Sequence, residues 1–252
     1  LNPLGEEMSV MRTMLLPSML ATISRNLAKK NELGRLFEYA RVYIPKALPL
    51  TELPEEKNRL AIAAFGENED FFTLKGSVEK LCEKLHTGRK LTFVKETAPY
   101  LHPGRSAVIY LGDVKLGLIG EVHPDILEKM DSSVRVYVTE LDFDLLAENL
   151  KGRTYFSPIS KFPSVERDLA LVCDINTESG FIEKLIAERG GKNLISIKLF
   201  DVYTGKGVEE GKKSMAYRLV FSSLEKTFGE GDVDGYVKKI LRHLDENGIK
   251  LR

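Results

Sequence analysis

Over residues 160–252 the apolar residues change period in a fixed order, and that order restricts the topology more than any single motif does. Residues 167–174 alternate as a strand, and Phe181, Ile182, Leu185 and Ile186 then follow the spacing of an amphipathic helix, closed by Gly190-Gly191. Residues 194–203 alternate again, turn through the Gly- and charge-rich stretch 204–211, and return as 214–222, with Met215, Tyr217, Leu219 and Phe221 on one side. Val233, Val237, Ile240 and Leu244 restore helical spacing from an Asp232 cap to Gly248, and 249–252 suffices for a short edge strand. The predicted order is β-α-β-β-α-β, the split βαβ arrangement in which both helices cover one face of a small sheet.

Residues 1–150 read as a separate α+β layer of antiparallel strands with helices to one side. Asn2 to Glu7 form a turn, and Leu16, Leu20, Ile23 and Leu27 share a helix face that begins near Pro17 and stops before Gly34. Strands are expected at 36–43 and 59–65, a helix through Leu74, Val78, Leu81, Cys82 and Leu85, and strands at 91–95, 106–111, 115–122 and 135–142. The loop 151–163, with Pro158 and Pro163, divides the chain, so the expected organisation is 1–150, a linker at 151–159, and 160–252.

Charge and cysteine usage exclude several classes. Thirty-seven Lys and Arg balance 37 Asp and Glu, so no overall field demands nucleic acid or an acidic membrane. Cys82 and Cys173 stand without a CxxC, which fits a reducing cytoplasm and provides neither a zinc knuckle nor a disulfide framework. No apolar run reaches the roughly 18 residues of a membrane span. The chain opens on Leu1 without methionine, in what reads as the middle of a longer protein. There is no P-loop, dinucleotide fingerprint or nucleophile with a matching base. His102 and His123, near Glu121 and Asp125, allow a zinc or general-base reading, but they lack ligand spacing and read rather as turn braces. Arg12, Arg41 and Arg105 are phosphate candidates or partners of acidic neighbours.

Several stretches resemble one family. Asn2-Pro3-Leu4-Gly5-Glu6-Glu7-Met8, Leu15-Leu16-Pro17, Phe37-Glu38-x-x-Arg41-Val42-Tyr43, His102-Pro103-Gly104-Arg105-Ser106-Ala107 and Gly117-x-x-Gly120-Glu121-Val122-His123-Pro124 resemble the beta subunit of bacterial phenylalanine–tRNA ligase. Phe162-Pro163-Ser164-x-x-Arg167-Asp168-Leu169-Ala170-Leu171, Leu199-Phe200-Asp201-Val202-Tyr203-x-Gly205 and Glu210-Gly211-x-Lys213-Ser214 are similar to its ferredoxin-fold anticodon-binding domain. The resemblance covers nearly the whole chain in order. It implies a degenerate class II synthetase-like antiparallel sheet domain followed by a ferredoxin-like domain, from a subunit that pairs as two alpha and two beta chains. It places the family's metal-binding segment and editing site before Leu1, and ATP and Mg2+ at the alpha subunit, with no cofactor in this chain. The sequence agrees on the missing site. Adenylate formation needs arginines that clamp phosphoryl charge, yet Tyr43 is followed by Ile44-Pro45 with no Arg-x-Glu, and the 135–142 strand has no Gly-x-Gly-x-x-Arg.

The terminal domain carries the functional expectation. Leu169, Leu171 and Cys173, with Ile195, Ile197 and Leu199 and with Met215, Tyr217, Leu219 and Phe221, should lie under the helices. The open face then shows Ala170, Val172, Ser196, Lys198, Ala216, Arg218 and Val220, and Phe200 joins it if the strand bulges. Lys198, Phe200, Ala216 and Arg218 are the expected RNA platform, with Lys161, Ser164, Arg167, Lys206, Lys212 and Lys213 around its edge. Sixteen Lys and Arg meet fifteen Asp and Glu over 160–252, so binding would be local and shape-led. Arg167-Asp168 reads equally as a structural pair. The expected function is therefore cytoplasmic and non-catalytic: assembly with the alpha subunit and binding of phenylalanine tRNA at its anticodon. The alternative is an ACT-like amino-acid sensor, which shares the β-α-β-β-α-β order; a self-sufficient ligase is the second rival, opposed by the missing arginines.

Overall fold

The computed structural model describes residue 5, residues 9–151, residue 156 and residues 158–252, and the chain divides into two compact units, Leu1–Thr154 and Tyr155–Arg252. The turn expected at 2–7 and most of the linker at 151–159 lie outside the described residues. None of the helices in the described residues is long and apolar enough to cross a membrane.

In the first unit, α1 (Leu16–Ala28) precedes the hairpin β1 (Gly34–Ile44) and β2 (Glu55–Phe65). Then come α2 (Phe71–Lys84), β3 (Leu91–Lys95), β4 (Leu101–Leu111), β5 (Val114–Val122), α3 (Pro124–Lys129), β6 (Val136–Asp142) and α4 (Phe143–Glu148). The six strands form one antiparallel sheet in the order β1-β2-β6-β5-β4-β3. Helices cover both of its faces, not one as expected. Ala61, Ala63 and Phe65 pack with Leu16, Met19 and Ile23 of α1, whereas Leu60 and Ile62 pack with Leu74 and Val78 of α2 and Leu146 of α4. A strand apolar on both sides needs cover on both sides. The short helices α3 and α4 fall within stretches that show no helical period.

α1 has no side-chain cap of its own. The Leu15 N–H instead donates to the Glu140 carboxylate on β6 at 2.9 Å, so a residue 125 positions away closes the helix start. Burial raises the Glu140 carboxyl above the ordinary range, against the lowering pull of that N–H and of Arg59. Gly117 is required where β5 passes β6, because a Cβ there would stand 2.1 Å from the Glu140 carbonyl oxygen.

The second unit realises the expected order: β7 (Val165–Asp174), α5 (Ser179–Gly190), β8 (Leu194–Tyr203), β9 (Lys212–Phe221), α6 (Glu230–Glu246) and β10 (Lys250–Leu251). The sheet order is β10-β7-β9-β8, antiparallel throughout. Leu169, Leu171, Cys173, Met215, Tyr217, Leu219 and Phe221 are all buried against Ile182 and Ile186 of α5 and Val233, Ile240 and Leu244 of α6. Ile195 departs from its expected place and is 62% exposed. The β8–β9 register shifts between Leu194 and Ser196 and again between Leu199 and Asp201, and the first irregularity releases Ile195 from the core side. The cap of α6 also differs. Gly229 is the N-cap, and Asp232 accepts its N–H at 3.0 Å from the first turn. Tyr217 reaches the Ser179 carbonyl and hydroxyl at 3.4 and 3.3 Å, and burial pushes its phenol up to about 12.

Candidate nucleic-acid interface

With α5 and α6 on one face of the second sheet, the other face is left to Glu166, Asp168, Ala170 and Val172 of β7, Ser214, Ala216, Arg218 and Val220 of β9, and Ser196 and Lys198 of β8. Cross-strand partners share a face, so Asp168, Arg218 and Lys198 form one transverse row. Within it the Arg218 Nε and Nη2 donate to the two Asp168 carboxylate oxygens at 2.8 Å each, and Glu166 stands 3.4 Å from Nε. These hydrogen bonds hold the Asp168 carboxyl below the usual carboxylate range and raise the guanidinium further above its own.

Phe200 reaches this face by the plain alternation of Ser196 and Lys198, without needing a bulge, and the shift between Leu199 and Asp201 brings Asp201 and Tyr203 to the same face. The Arg218 guanidinium lies 5.5 Å from its ring centroid, and the ring is half exposed. Lys198, Phe200, Ala216 and Arg218 are thus brought together, on a floor kept low by Ala170 and Ala216.

The remaining expected positions scatter. Ser164 lines a cleft of ≈ 580 Å³ with Phe162, Ile195 and Leu224 at the start of β7, and Lys161 is exposed beside it. Arg167 faces away from the platform, 3.9 Å from Asp234 on α6, so the proposed Arg167-Asp168 pair is replaced by Arg218–Asp168. Lys213 lies opposite Cys173 on the helix side, because odd positions of β9 face the core. Lys212 is paired with Glu209, and Lys206 is exposed in the loop, where its carbonyl accepts the Tyr203 hydroxyl at 3.3 Å. Tyr203 and Arg252 were not anticipated: the arginine guanidinium stands 5.4 Å from the tyrosine ring. Strict alternation from Ile197 and Leu199 points Tyr203 to the helix side, and the shift between Leu199 and Asp201 turns it outward; Arg252 offered no signal.

In the first unit, the phosphate candidates are held by carboxylates. Arg12 meets Glu38 and Arg41 meets Glu56 at 2.7 Å, and Arg105 meets the buried Glu121 at 2.9 Å. Arg35–Glu69 and Arg59–Asp142 pair in the same way at 2.7 and 2.9 Å. The two histidines brace turns: His102 Nδ1 accepts from Gly104 N–H at 3.0 Å, and His123 Nδ1 from Asp125 N–H at 3.3 Å. Among the described residues no three His, Cys, Asp or Glu side chains cluster as a metal site.

Comparison with known proteins agrees with this division. Residues 1–143 match the phenylalanyl tRNA synthetase beta chain CLM domain, and residues 160–252 match the ferredoxin-fold anticodon binding domain. The chain is 42% identical over its whole length to the phenylalanine–tRNA ligase beta subunit of Clostridium acetobutylicum, covering 32% of that protein. It is 37% identical over 97% of its length to that of Bacillus subtilis and 36% over 96% to that of Vibrio cholerae, covering 31% of each. The chain thus spans about a third of the length of these relatives. The match over 160–252 disfavours the amino-acid-sensor alternative. The two matched models, which together cover most of an antiparallel sheet domain and a ferredoxin-like domain with one open face, show that this chain belongs to the phenylalanyl-tRNA synthetase beta-chain family.

Proposed function

We propose that this chain is the non-catalytic part of a phenylalanine–tRNA ligase beta subunit that supports assembly with an alpha subunit and holds the anticodon region of phenylalanine tRNA during aminoacylation. The observation that carries the reading is the helix-free sheet face of the second unit, where Lys198, Phe200, Ala216 and Arg218 converge. Single-stranded RNA is recognised by stacking unpaired bases on exposed rings above a sheet. Lys161, Ser164, Lys206 and Lys212 serve as peripheral positioning contacts, whereas Arg167 and Lys213 face the helix side and contribute through the fold.

Residues 1–150 form the assembly domain and 160–252 the tRNA-binding domain, joined by 151–159. β1 is an edge strand on which Phe37 is 78% and Tyr39 52% exposed, a surface suited to the alpha subunit in a two-alpha, two-beta enzyme. ATP and Mg2+ are used at the alpha subunit, in the cytoplasm. The pairing of the phosphate candidates Arg12, Arg41 and Arg105 with carboxylates supports this division of labour, since a clamp for triphosphate needs uncommitted guanidinium groups.

The test is a titration of the chain with phenylalanine tRNA and with the same tRNA carrying altered anticodon bases, at two salt concentrations. Salt-sensitive binding that weakens with the anticodon changes is expected. Binding indifferent to the anticodon would refute the assignment of the open sheet, and ATP–pyrophosphate exchange by the chain alone would refute the non-catalytic reading.

A further inference from the structure

The first unit holds a cleft of ≈ 390 Å³ on the α1 side of its sheet, a volume at the small end of ligand sites. Its walls include Met14, Leu118 and Tyr100, and the charged groups Arg59, Lys115, Glu140 and Asp142. Leu118 lies opposite Glu140 across β5 and β6, and Arg59 lies opposite Asp142 across β2 and β6. Cross-strand partners share a face, so the sheet itself brings these four side chains to the cleft. Met14 and Leu118 are partly buried against the α1 core and supply its apolar wall.

Three of the four charges are matched. Arg59 holds Asp142 at 2.9 Å, and Lys115 meets Glu96 at 3.2 Å on the surface. Glu140 receives the backbone N–H groups of Leu15 and Leu16, and no cation pairs with it among the described residues. Arg59 acts on it only from beyond ion-pair distance, and Glu38, itself bound to Arg12, pushes the other way. Burial raises the Glu140 carboxyl, and burial together with the Glu140 charge raises the neighbouring Tyr100 phenol. A carboxylate offers about four acceptor positions, so two N–H groups leave it unsaturated. A buried carboxylate without a counter-ion is costly, and a cation in the cleft would relieve that cost.

We propose that this cleft binds a small primary amine, whose ammonium group donates to Glu140 and whose alkyl stem lies against Met14 and Leu118. The unmatched carboxylate selects the charge, and the apolar wall selects the stem. Arg59 and Lys115 select against a second positive charge, so the ligand is a monovalent ammonium and not a polyamine or a divalent metal ion.

The test is a ligand-detected NMR titration of the full chain with isoamylamine, its neutral counterpart isoamyl alcohol, and the diamine putrescine, for the parent and for Glu140→Gln. At pH 7.5 isoamylamine should bind the parent at least about tenfold more tightly than isoamyl alcohol, the scale of one charge-assisted hydrogen bond. Glu140→Gln should lose that preference. Two readouts need no substitution. Amine binding should weaken as pH falls through the raised Glu140 carboxyl, because the ammonium group needs the ionised form, and putrescine should bind no more than about twofold more tightly than isoamylamine, the statistical gain of its second amine. Equal binding of amine and alcohol by the parent, or an amine affinity retained by Glu140→Gln, would overturn the site. Much tighter binding of putrescine would overturn it in favour of a general attraction to surface carboxylates.

Discussion

Arg218 and Asp168 face each other across β9 and β7 and share two hydrogen bonds of 2.8 Å, which leaves the most central cation of the open sheet already matched by a carboxylate. Phosphate attraction at this point is therefore muted. Asp168→Ala should release the guanidinium and tighten tRNA binding at low salt. The slope of log affinity against log salt should steepen by up to about 0.7 for the single charge freed. Affinity measured at three or more salt concentrations checks this; an unchanged slope would mean that Glu166 alone keeps Arg218 neutral.

Glu140 closes the start of α1 from another strand, while burial raises its carboxyl. A folded carboxyl above its unfolded value binds a proton more readily than the unfolded chain does, so stability falls as pH rises from the ordinary glutamate range through the raised value. Glu140→Gln should remove that slope. At neutral pH it should cost about 1 kcal/mol through the weakened cap, less whatever desolvation it relieves. Urea midpoints from pH 4 to pH 8 for both proteins provide the comparison.

Tyr217 shows the same linkage at alkaline pH. Its phenol is pushed to about 12, so between pH 10 and 12 the unfolded chain loses this proton and the folded chain keeps it. Stability should fall by roughly 3 kcal/mol across that interval from this group alone. Tyr217→Phe should abolish the fall and lower stability at pH 7 by about 1 kcal/mol for the lost Ser179 contacts. Alkaline denaturation followed by circular dichroism distinguishes the two.

Two glycines predict opposite outcomes. At Gly117 a methyl group would stand 2.1 Å from the Glu140 carbonyl, and Gly117→Ala should destabilise the chain by about 1–3 kcal/mol as β5 and β6 separate. Gly235 lies inside α6 with nothing within 4 Å of an added Cβ. Gly235→Ala should therefore stabilise by about 0.5–1 kcal/mol. Thermal melts of the two variants should move in opposite directions.

Periodicity made the second unit largely legible. All seven core positions assigned to β7 and β9 are buried, because a strict alternation leaves one register that hides Tyr217 and Phe221 together. Irregularity defeated it in β8, where an added residue has no compositional mark and two shifts reassign Ile195 and Tyr203. The two-sided cover of the larger sheet was written in Leu60-Ala61-Ile62-Ala63-Ala64-Phe65, a run apolar on both alternations, which a one-sided layer does not need. The Arg218–Asp168 contact required the inter-strand register, which residues 50 apart do not reveal by themselves.

The interrupted β8 ladder has a consequence for the chain in concentrated solution. β8 is the outer strand of its sheet, and it exposes Ile195, Phe200 and Val202. A long, regular outer strand with that composition would template pairing with neighbouring molecules. Two breaks in ten residues bend the outer row of N–H and C=O groups out of line, so an incoming strand cannot match them over any length. The same irregularities that release Ile195 from the core side thus keep a sticky edge from seeding aggregation.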